Sequence, residues 1–382
     1  MSLRSEPVAP LVRGAAELEQ TDRGLRPHRL PAWVRERYPD PQLLSVESHP
    51  SGVRLVAETE ARTVELVLHP TCTAYAGLDR PRGSVDLVVD GVPAASTVLA
   101  AGDVKEVDLR TGEARLVPGR PHTERHELPE GTKVIEFWLP HNEVVDLVAV
   151  RADAPLRPHD PGRRIWLHHG SSISHGSNAA TPTAIWPAVA ARHGGVELHN
   201  LGLGGSALVD PFTARVLRDR PADLISVKLG INVVNFDAMR LRAFVPAVHG
   251  FLDTIRDGHP DTPLVLISPI FCGIHEDTPG PGAIDLDALA SGRRLFTATG
   301  VPEPGRLTLR VVREALESVV ERRDDDPNLS YLDGLRLYGE QDAAELPLPD
   351  ALHPDTAAHR RIGERFAEHA FAPGGPFSED PA

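Results

Sequence analysis

The chain is poor in cysteine: Cys72 and Cys272 are the only two in 382 residues, 200 positions apart. A pair so distant makes no disulfide framework and reads as two free buried thiols, suited to a reducing compartment. No apolar run approaches the ~18 residues of a membrane span. The opening Met1-Ser2-Leu3-Arg4-Ser5-Glu6-Pro7 lacks the apolar core of a signal peptide. Positive charge is also short, with 40 Lys and Arg against 54 Asp and Glu, for a net charge of -14. That balance argues against nucleic acid or an anionic membrane as partner. The expectation is a soluble, cytoplasmic protein acting on small molecules. What is present is globular in kind, at 41% hydrophobic and 25% charged residues. The length exceeds the roughly 250–300 residues at which one core stops growing, so two domains are expected.

The pattern along the chain divides in the same way. Residues 1–45 carry prolines at 7, 10, 27, 31, 39 and 41 and read as an irregular arm, with one helical turn near Trp33. Over 46–155 the period is two, as in Val53, Leu55 and Ala57, then Val64, Leu66 and Leu68, then Val85, Leu87 and Val89. Further strands are read at Val104–Leu109, Ala114–Val117, Lys133–Leu139 and Val144–Val150, with Asp90-Gly91 and Thr111-Gly112 as turns. Many short strands without a helical pattern predict an all-β sandwich domain. Pro155, Pro158 and Pro161 mark a linker.

From residue 164 to 371 strands and helices alternate, which predicts a parallel sheet with helices on both faces. The five strands are read at Arg164–His169, Val196–Asn200, Leu224–Leu229, Leu264–Ile270 and Leu329–Asp333. Residues 372–382 read as a loose tail. Gly170-Ser171-Ser172-Ile173-Ser174-His175-Gly176 follows the first strand, so a buried strand hands a serine to a loop at its carboxyl end. Loops at that edge of a parallel sheet form the crevice where ligands bind. Asn200-Leu201-Gly202-Leu203-Gly204-Gly205 follows the second strand and Gly230-Ile231-Asn232 the third. Asp350-Ala351-Leu352-His353 lies near the C-terminus. An aspartate three residues before a histidine can bond its Nδ1–H and leave Nε2 free to accept a serine proton.

These four blocks, in this order, resemble the GDSL, or SGNH, family of serine esterases and acyltransferases. The resemblance spans residues 164–370 and implies a flavodoxin-like five-stranded sheet with no metal or organic cofactor needed. It implies Ser172, Asp350 and His353 as catalytic residues, and Ser172, Gly205 and Asn232 as the oxyanion hole. Two positions depart from the family pattern: Ser171 and Val233 each stand where an aspartate is usual. The sandwich joined to this catalytic half narrows the resemblance to GDSL-like proteins of the same two-domain layout.

The expected function is transfer of an acyl group, through acyl-Ser172, from an ester or thioester donor to a hydroxyl of a small natural product. The alternatives are a carboxylic ester hydrolase and a non-catalytic carbohydrate-binding protein. An α/β-hydrolase is excluded at Ser172, because its elbow needs Gly-x-Ser-x-Gly and position 174 is serine. His175 is the second choice of base. Asp355 and His359 form a competing pair at helical spacing, read as a surface ion pair. His168 and His169, neighbours on a strand, point to opposite faces and make a poor metal site. The segment 273–305 is too long for a plain connection and is read as a cap over the pocket.

Overall fold

The computed structural model describes residues 3–75, 81–108 and 111–378 of the chain. It divides into two compact units, Met1–Arg163 with Ala180–Thr183, and Arg164–Ala179 with Ala184–Ala382.

The first unit is two sheets face to face. One runs Ala114–Val117, Asp103–Val107, Thr63–Tyr75, Val144–Ala152, Leu25–His28 and Glu17–Gln20, with Arg4–Glu6 and His122–Glu127 pairing at its side. The other runs Arg157–Pro158, Arg54–Thr59, Lys133–Trp138, Ser84–Val89 and Val92–Val98, with Val12–Arg13 on Arg54–Thr59. The alternating residues of the sequence meet between the sheets: Leu55, Ala57, Val64, Leu66, Leu68, Val85, Leu87, Ile135 and Phe137 form one buried cluster. Asp90-Gly91 turns one hairpin, as its sequence predicts. The strand expected at Val104–Leu109 is Asp103–Val107, and Leu109 itself lies outside the described residues.

The N-terminal stretch departs from its expectation. Of residues 1–45, those described, 3–45, are not an irregular arm. They supply strands to both sheets and two helices, Ala32–Arg37 and Pro41–Glu47. The strands were illegible because they are short and half polar, as in Glu17–Gln20, so period two never rises above noise.

The second unit is a five-stranded, all-parallel sheet: β1 (Ile165–Gly170), β2 (Glu197–Gly202), β3 (Leu224–Lys228), β4 (Leu264–Ile267) and β5 (Leu329–Leu332). Its order is β2-β1-β3-β4-β5, the flavodoxin-like arrangement whose switch point lies between β1 and β3 and their neighbours. β3 and β4 are buried at every position, as strands covered on both faces must be. Helices are α1 (Ser172–His175), α2 (Trp186–Gly194), α3 (Pro211–Asp219), α4 (Ile231–Asn235), α5 (Leu241–Gly258), α6 (Leu286–Ala290), α7 (Leu309–Glu321), α8 (Glu340–Glu345) and α9 (Thr356–Phe371). The stripe Phe244, Val248, Phe251, Leu252 and Ile255 is the buried face of α5, and Leu309, Val312, Leu316 and Val319 that of α7. On α9, Ile362 and Phe366 are buried, and the Phe366 ring stacks on Trp166 at 5.0 Å.

The stretch after Phe371 is no loose tail up to residue 378. Phe377 is fully buried, its ring 5.6 Å from that of Phe371, and its carbonyl accepts from the Arg164 guanidinium at 2.8 Å. One aromatic among prolines and glycines gave no period to read. Among the described residues no helix is long and apolar enough to cross a membrane.

Candidate active site

The serine block is a strand that ends and a single helical turn that begins at once. Ser171 caps α1, its hydroxyl accepting from the Ile173 N–H at 3.4 Å. Ser172 is therefore the first helical residue, a position whose N–H has no partner within the helix. The turn is seated on the end of β2 at Gly202. A Cβ there would lie 2.3 Å from the His175 nitrogen and 2.4 Å from the Ser174 carbonyl carbon, both backbone atoms. The Asn200 amide donates to the Ser174 carbonyl at 2.9 Å, while its Oδ1 accepts from the Gly202 N–H at 2.9 Å.

A buried polar line holds the turn from below. Trp166 Nε1–H donates to Ser226 Oγ at 2.8 Å, Ser226 Oγ lies 2.7 Å from His168 Nδ1, and His168 Nε2 lies 2.8 Å from Ser174 Oγ. An indole can only donate, so Ser226 has its own proton left for His168 Nδ1, and Nε2–H then points at Ser174. Burial drives His168 well below the usual histidine range, with His169 and Lys228 adding to it, so the ring is neutral. His168 is thus a support for the serine turn. Sequence spacing could not have shown this, because the partners come from β3 and α1.

At the other end of the chain, Asp350-Ala351-Leu352-His353 folds into a tight turn with Ala351 in the left-handed region at φ 66°. Asp350 Oδ1 accepts from the Leu352 and His353 backbone N–H groups at 3.0 and 2.7 Å. Its Oδ2 lies 2.8 Å from His353 Nδ1, and His353 Nε2 lies 2.9 Å from Ser172 Oγ. Burial alone would raise the Asp350 carboxyl. The hydrogen bonds from the His353 ring and the backbone N–H groups outweigh it and hold the group down at about 2. A charged carboxylate, an imidazole and a serine hydroxyl therefore stand in one hydrogen-bonded line, the arrangement that lets a serine lose its proton as it attacks.

The second and third blocks are each held by backbone hydrogen bonds of their own. Leu203 N–H donates to the Gly170 carbonyl at 2.7 Å, which ties the second block to the end of β1. Gly205 has φ 69°, the left-handed region that glycine adopts without cost. Asn232, in α4, accepts the Ala207 N–H on its Oδ1 at 3.1 Å. That fixes which way the amide points and leaves Nδ2 unused among the described residues. Val233, where the family has an aspartate, is fully buried core.

The competing pair separates. Asp355 caps α9, accepting from the Ala358 N–H at 2.8 Å. His359 is fully buried, bonded to the Trp186 N–H and the Ser177 carbonyl, so the two make no surface ion pair. Burial lowers His359 to about 4. The imidazole at Ser172 Oγ belongs to His353 and not to His175. Cys272 is a buried thiol raised to about 12, chiefly by burial. Among the described residues no group of three or more His, Cys, Asp or Glu is placed to hold a metal ion.

The segment 273–305 holds more order than its sequence suggests. Gly282–Ile284 and Phe296–Ala298 pair as an antiparallel hairpin, with α6 in the loop between them. The Phe296 N–H donates to the Asp350 carbonyl at 2.9 Å, and its ring meets that of His353 edge-on at 5.6 Å.

Residues 169–361 match the family model of GDSL-like lipases and acylhydrolases, and residues 11–147 match the model of the SsfX3 N-terminal domain. Among solved structures, the chain is similar to the salicylyl-acyltransferase SsfX3 from a tetracycline biosynthetic pathway. Identity is 29%, 95% of each chain is covered and the TM-score is 0.76. It shares its fold with a GDSL-like lipase from Bacteroides ovatus, at 19% identity over 96% of each chain and a TM-score of 0.68. A family two carbohydrate esterase from Clostridium thermocellum also shares the fold, at 14% identity, 83% of this chain, 91% of the other and a TM-score of 0.56. A search of the curated proteins gave no match. With the model matching just over half of its length, the chain belongs to the GDSL-like lipase/acylhydrolase family.

Proposed function

We propose that the protein is a serine acyltransferase that moves an acyl group from an ester or thioester donor to a hydroxyl of a small natural product. The observation that carries the reading is the line Asp350–His353–Ser172, with 2.8 and 2.9 Å links. In this mechanism His353 Nε2 takes the Ser172 proton as Oγ attacks the donor carbonyl. The oxyanion is held by the Ser172 and Gly205 N–H groups and by Asn232 Nδ2. The tetrahedral intermediate collapses, and His353 returns the proton to the departing alcohol or thiol. The acceptor hydroxyl then loses its proton to His353 and attacks the acyl carbonyl, and Ser172 leaves with that proton. Asp350 remains ionised throughout and stabilises the imidazolium.

Transfer is favoured over hydrolysis by the 29% identity to a salicylyl-acyltransferase over 95% of the chain, sandwich included. Ester hydrolysis is the alternative, in which water replaces the acceptor after the same first half. Water stands at roughly 55 M, so a transferase must exclude it or seat its acceptor at high effective molarity. The hairpin against His353 supports the first of these. The free thiols of Cys72 and Cys272 fit a cytoplasmic place of action.

The test is partitioning. The protein is incubated with a panel of acyl thioesters, and the acyl-enzyme is read by intact mass. It is then chased with hydroxyl acceptors and with buffer alone. Acceptor-dependent loss much faster than loss in buffer supports transfer. Fast loss in buffer that no acceptor outcompetes makes the protein an esterase.

A further inference from the structure

The relay carboxylate has more donors than a triad needs. Beyond the backbone pair on Oδ1 and the imidazole on Oδ2, Oδ2 lies 3.2 Å from Asn178 Nδ2 and 3.4 Å from an Arg294 guanidinium nitrogen. The same arginine reaches Asn178 Oδ1 at 3.5 Å and lies over the Phe296 ring at 5.9 Å. Asn178 stands on the serine's own loop, six residues after Ser172, and Arg294 stands in the hairpin segment between β4 and α7. Three stretches of chain, remote in sequence, thus converge on one carboxylate oxygen.

From this convergence we infer that Asn178 and Arg294 are positioning residues that aim Asp350 at His353 and tie the aspartate turn to the serine loop. The inference rests on the Ser172 acyl-enzyme reading and adds to it two residues outside the four family blocks. With only the imidazole on Oδ2, the carboxylate can rock within the slack of its Oδ1 hydrogen bonds and carry Oδ2 out of line with Nδ1. Donors from two further sides remove that freedom. The backbone supplies a separate argument for Asn178. Its φ of 66° calls for asparagine or glycine, and glycine would satisfy the backbone equally well. Only the amide reaches Asp350. Arg294 is 36% exposed in its side chain, so its share is the smaller one.

The experiment uses the full chain and an activated aryl ester, following aryl alcohol release by stopped flow to separate the acylation rate from substrate binding. Asn178→Gly keeps the backbone and removes the amide. Arg294→Gln removes the charge and Arg294→Lys restores it. The expected result is a roughly tenfold slower acylation for Asn178→Gly and a smaller, severalfold loss for Arg294→Gln, with apparent substrate affinity within about twofold. Arg294→Lys should recover part of the rate, and the double variant should lose less than the product of the two single losses. Unchanged acylation rates overturn the inference. A loss confined to substrate affinity also overturns it, because Arg294 would then bind substrate. Ser172→Ala runs alongside. A burst that survives in that variant sinks the acyl-Ser172 reading itself, whereas a lost burst with wild-type rates in the other variants sinks only the positioning role.

Discussion

At the scale of single residues, the site separates atoms that react from atoms that hold. Ser172→Ala removes one hydroxyl from the first residue of a single helical turn, so the fold should stay and acyl-enzyme formation should vanish. Intact mass after thioester incubation checks it, and a variant that still gains the acyl mass at the wild-type rate removes Ser172 from the role. Asp350→Asn keeps shape and loses the charge that stabilises imidazolium, which should lower the rate by several orders of magnitude. A crippled Asp355→Asn beside an active Asp350→Asn would reverse the assignment. His359 gives a pH prediction. Burial lowers it to about 4 in the folded state, against an unfolded value near 6.5, so the unfolded chain binds the extra proton first. Its stability contribution is full above pH 6.5 and is lost as pH falls toward 4, by about 3 kcal/mol. His359→Gln can keep an acceptor for the Trp186 N–H and a donor for the Ser177 carbonyl. Denaturant titrations should show a shallower loss between pH 6.5 and 4 in the variant, and identical slopes would refute the point. The four blocks were legible because three couple residue type to position after a strand and the fourth sets an aspartate three residues before a histidine. His168 was not, because its meaning lies in Ser226 and Ser174, which only the folded sheet brings to it.

At the scale of elements, the serine turn depends on how closely α1 sits on β2. A methyl at Gly202 would meet backbone atoms at 2.3 and 2.4 Å, which no rotamer change relieves. Gly202→Ala should cost roughly 1–3 kcal/mol or more and slow acylation, since α1 must move to make room. A thermal melt and an aryl ester burst check both at once, and a wild-type melt would show that the contact yields cheaply. The hairpin between β4 and α7 invites a different change. Replacing residues 285–293 with a short glycine-serine link, which spares Arg294, should shift the acyl-enzyme toward hydrolysis if this segment keeps water from His353. An unchanged partition ratio would count against that shielding. The sheet and its long helices were readable because Phe244, Val248, Phe251 and Ile255 repeat at helical spacing, and β3 and β4 are apolar runs. Val92–Val98 and His122–Glu127 were not. The first is largely exposed, and the second is mostly polar along its length. Neither has the contrast between faces that period two requires.

At the scale of the whole molecule, neither unit is one uninterrupted stretch of chain. Just after the serine loop it leaves the catalytic unit for four residues, Ala180–Thr183, which cluster with the first unit. Thr183 makes that excursion specific. Its N–H and its hydroxyl both donate to Asp86 Oδ2, at 3.1 and 2.6 Å, while Asp86 Oδ1 accepts from Ser96 Oγ at 2.6 Å. Proline and alanine counts gave no hint of this, because an excursion so short has no composition of its own. A change at Asp86 should therefore be felt in these four residues. Asp86→Ala leaves the Thr183 N–H and hydroxyl without an acceptor and Ser96 without its partner. The cost of such orphaned groups is roughly 1–3 kcal/mol, and Asp86 is almost fully buried, so water does not readily replace it. The expected result is a lower melting temperature and a new site of limited proteolysis between residues 179 and 185, where an unanchored backbone becomes accessible. Asp86→Asn, which keeps one acceptor oxygen, should fall between Asp86→Ala and wild type. If Asp86→Ala melts with wild-type cooperativity and resists cleavage in that stretch, the four residues are held by their chain ends alone and Asp86 anchors nothing.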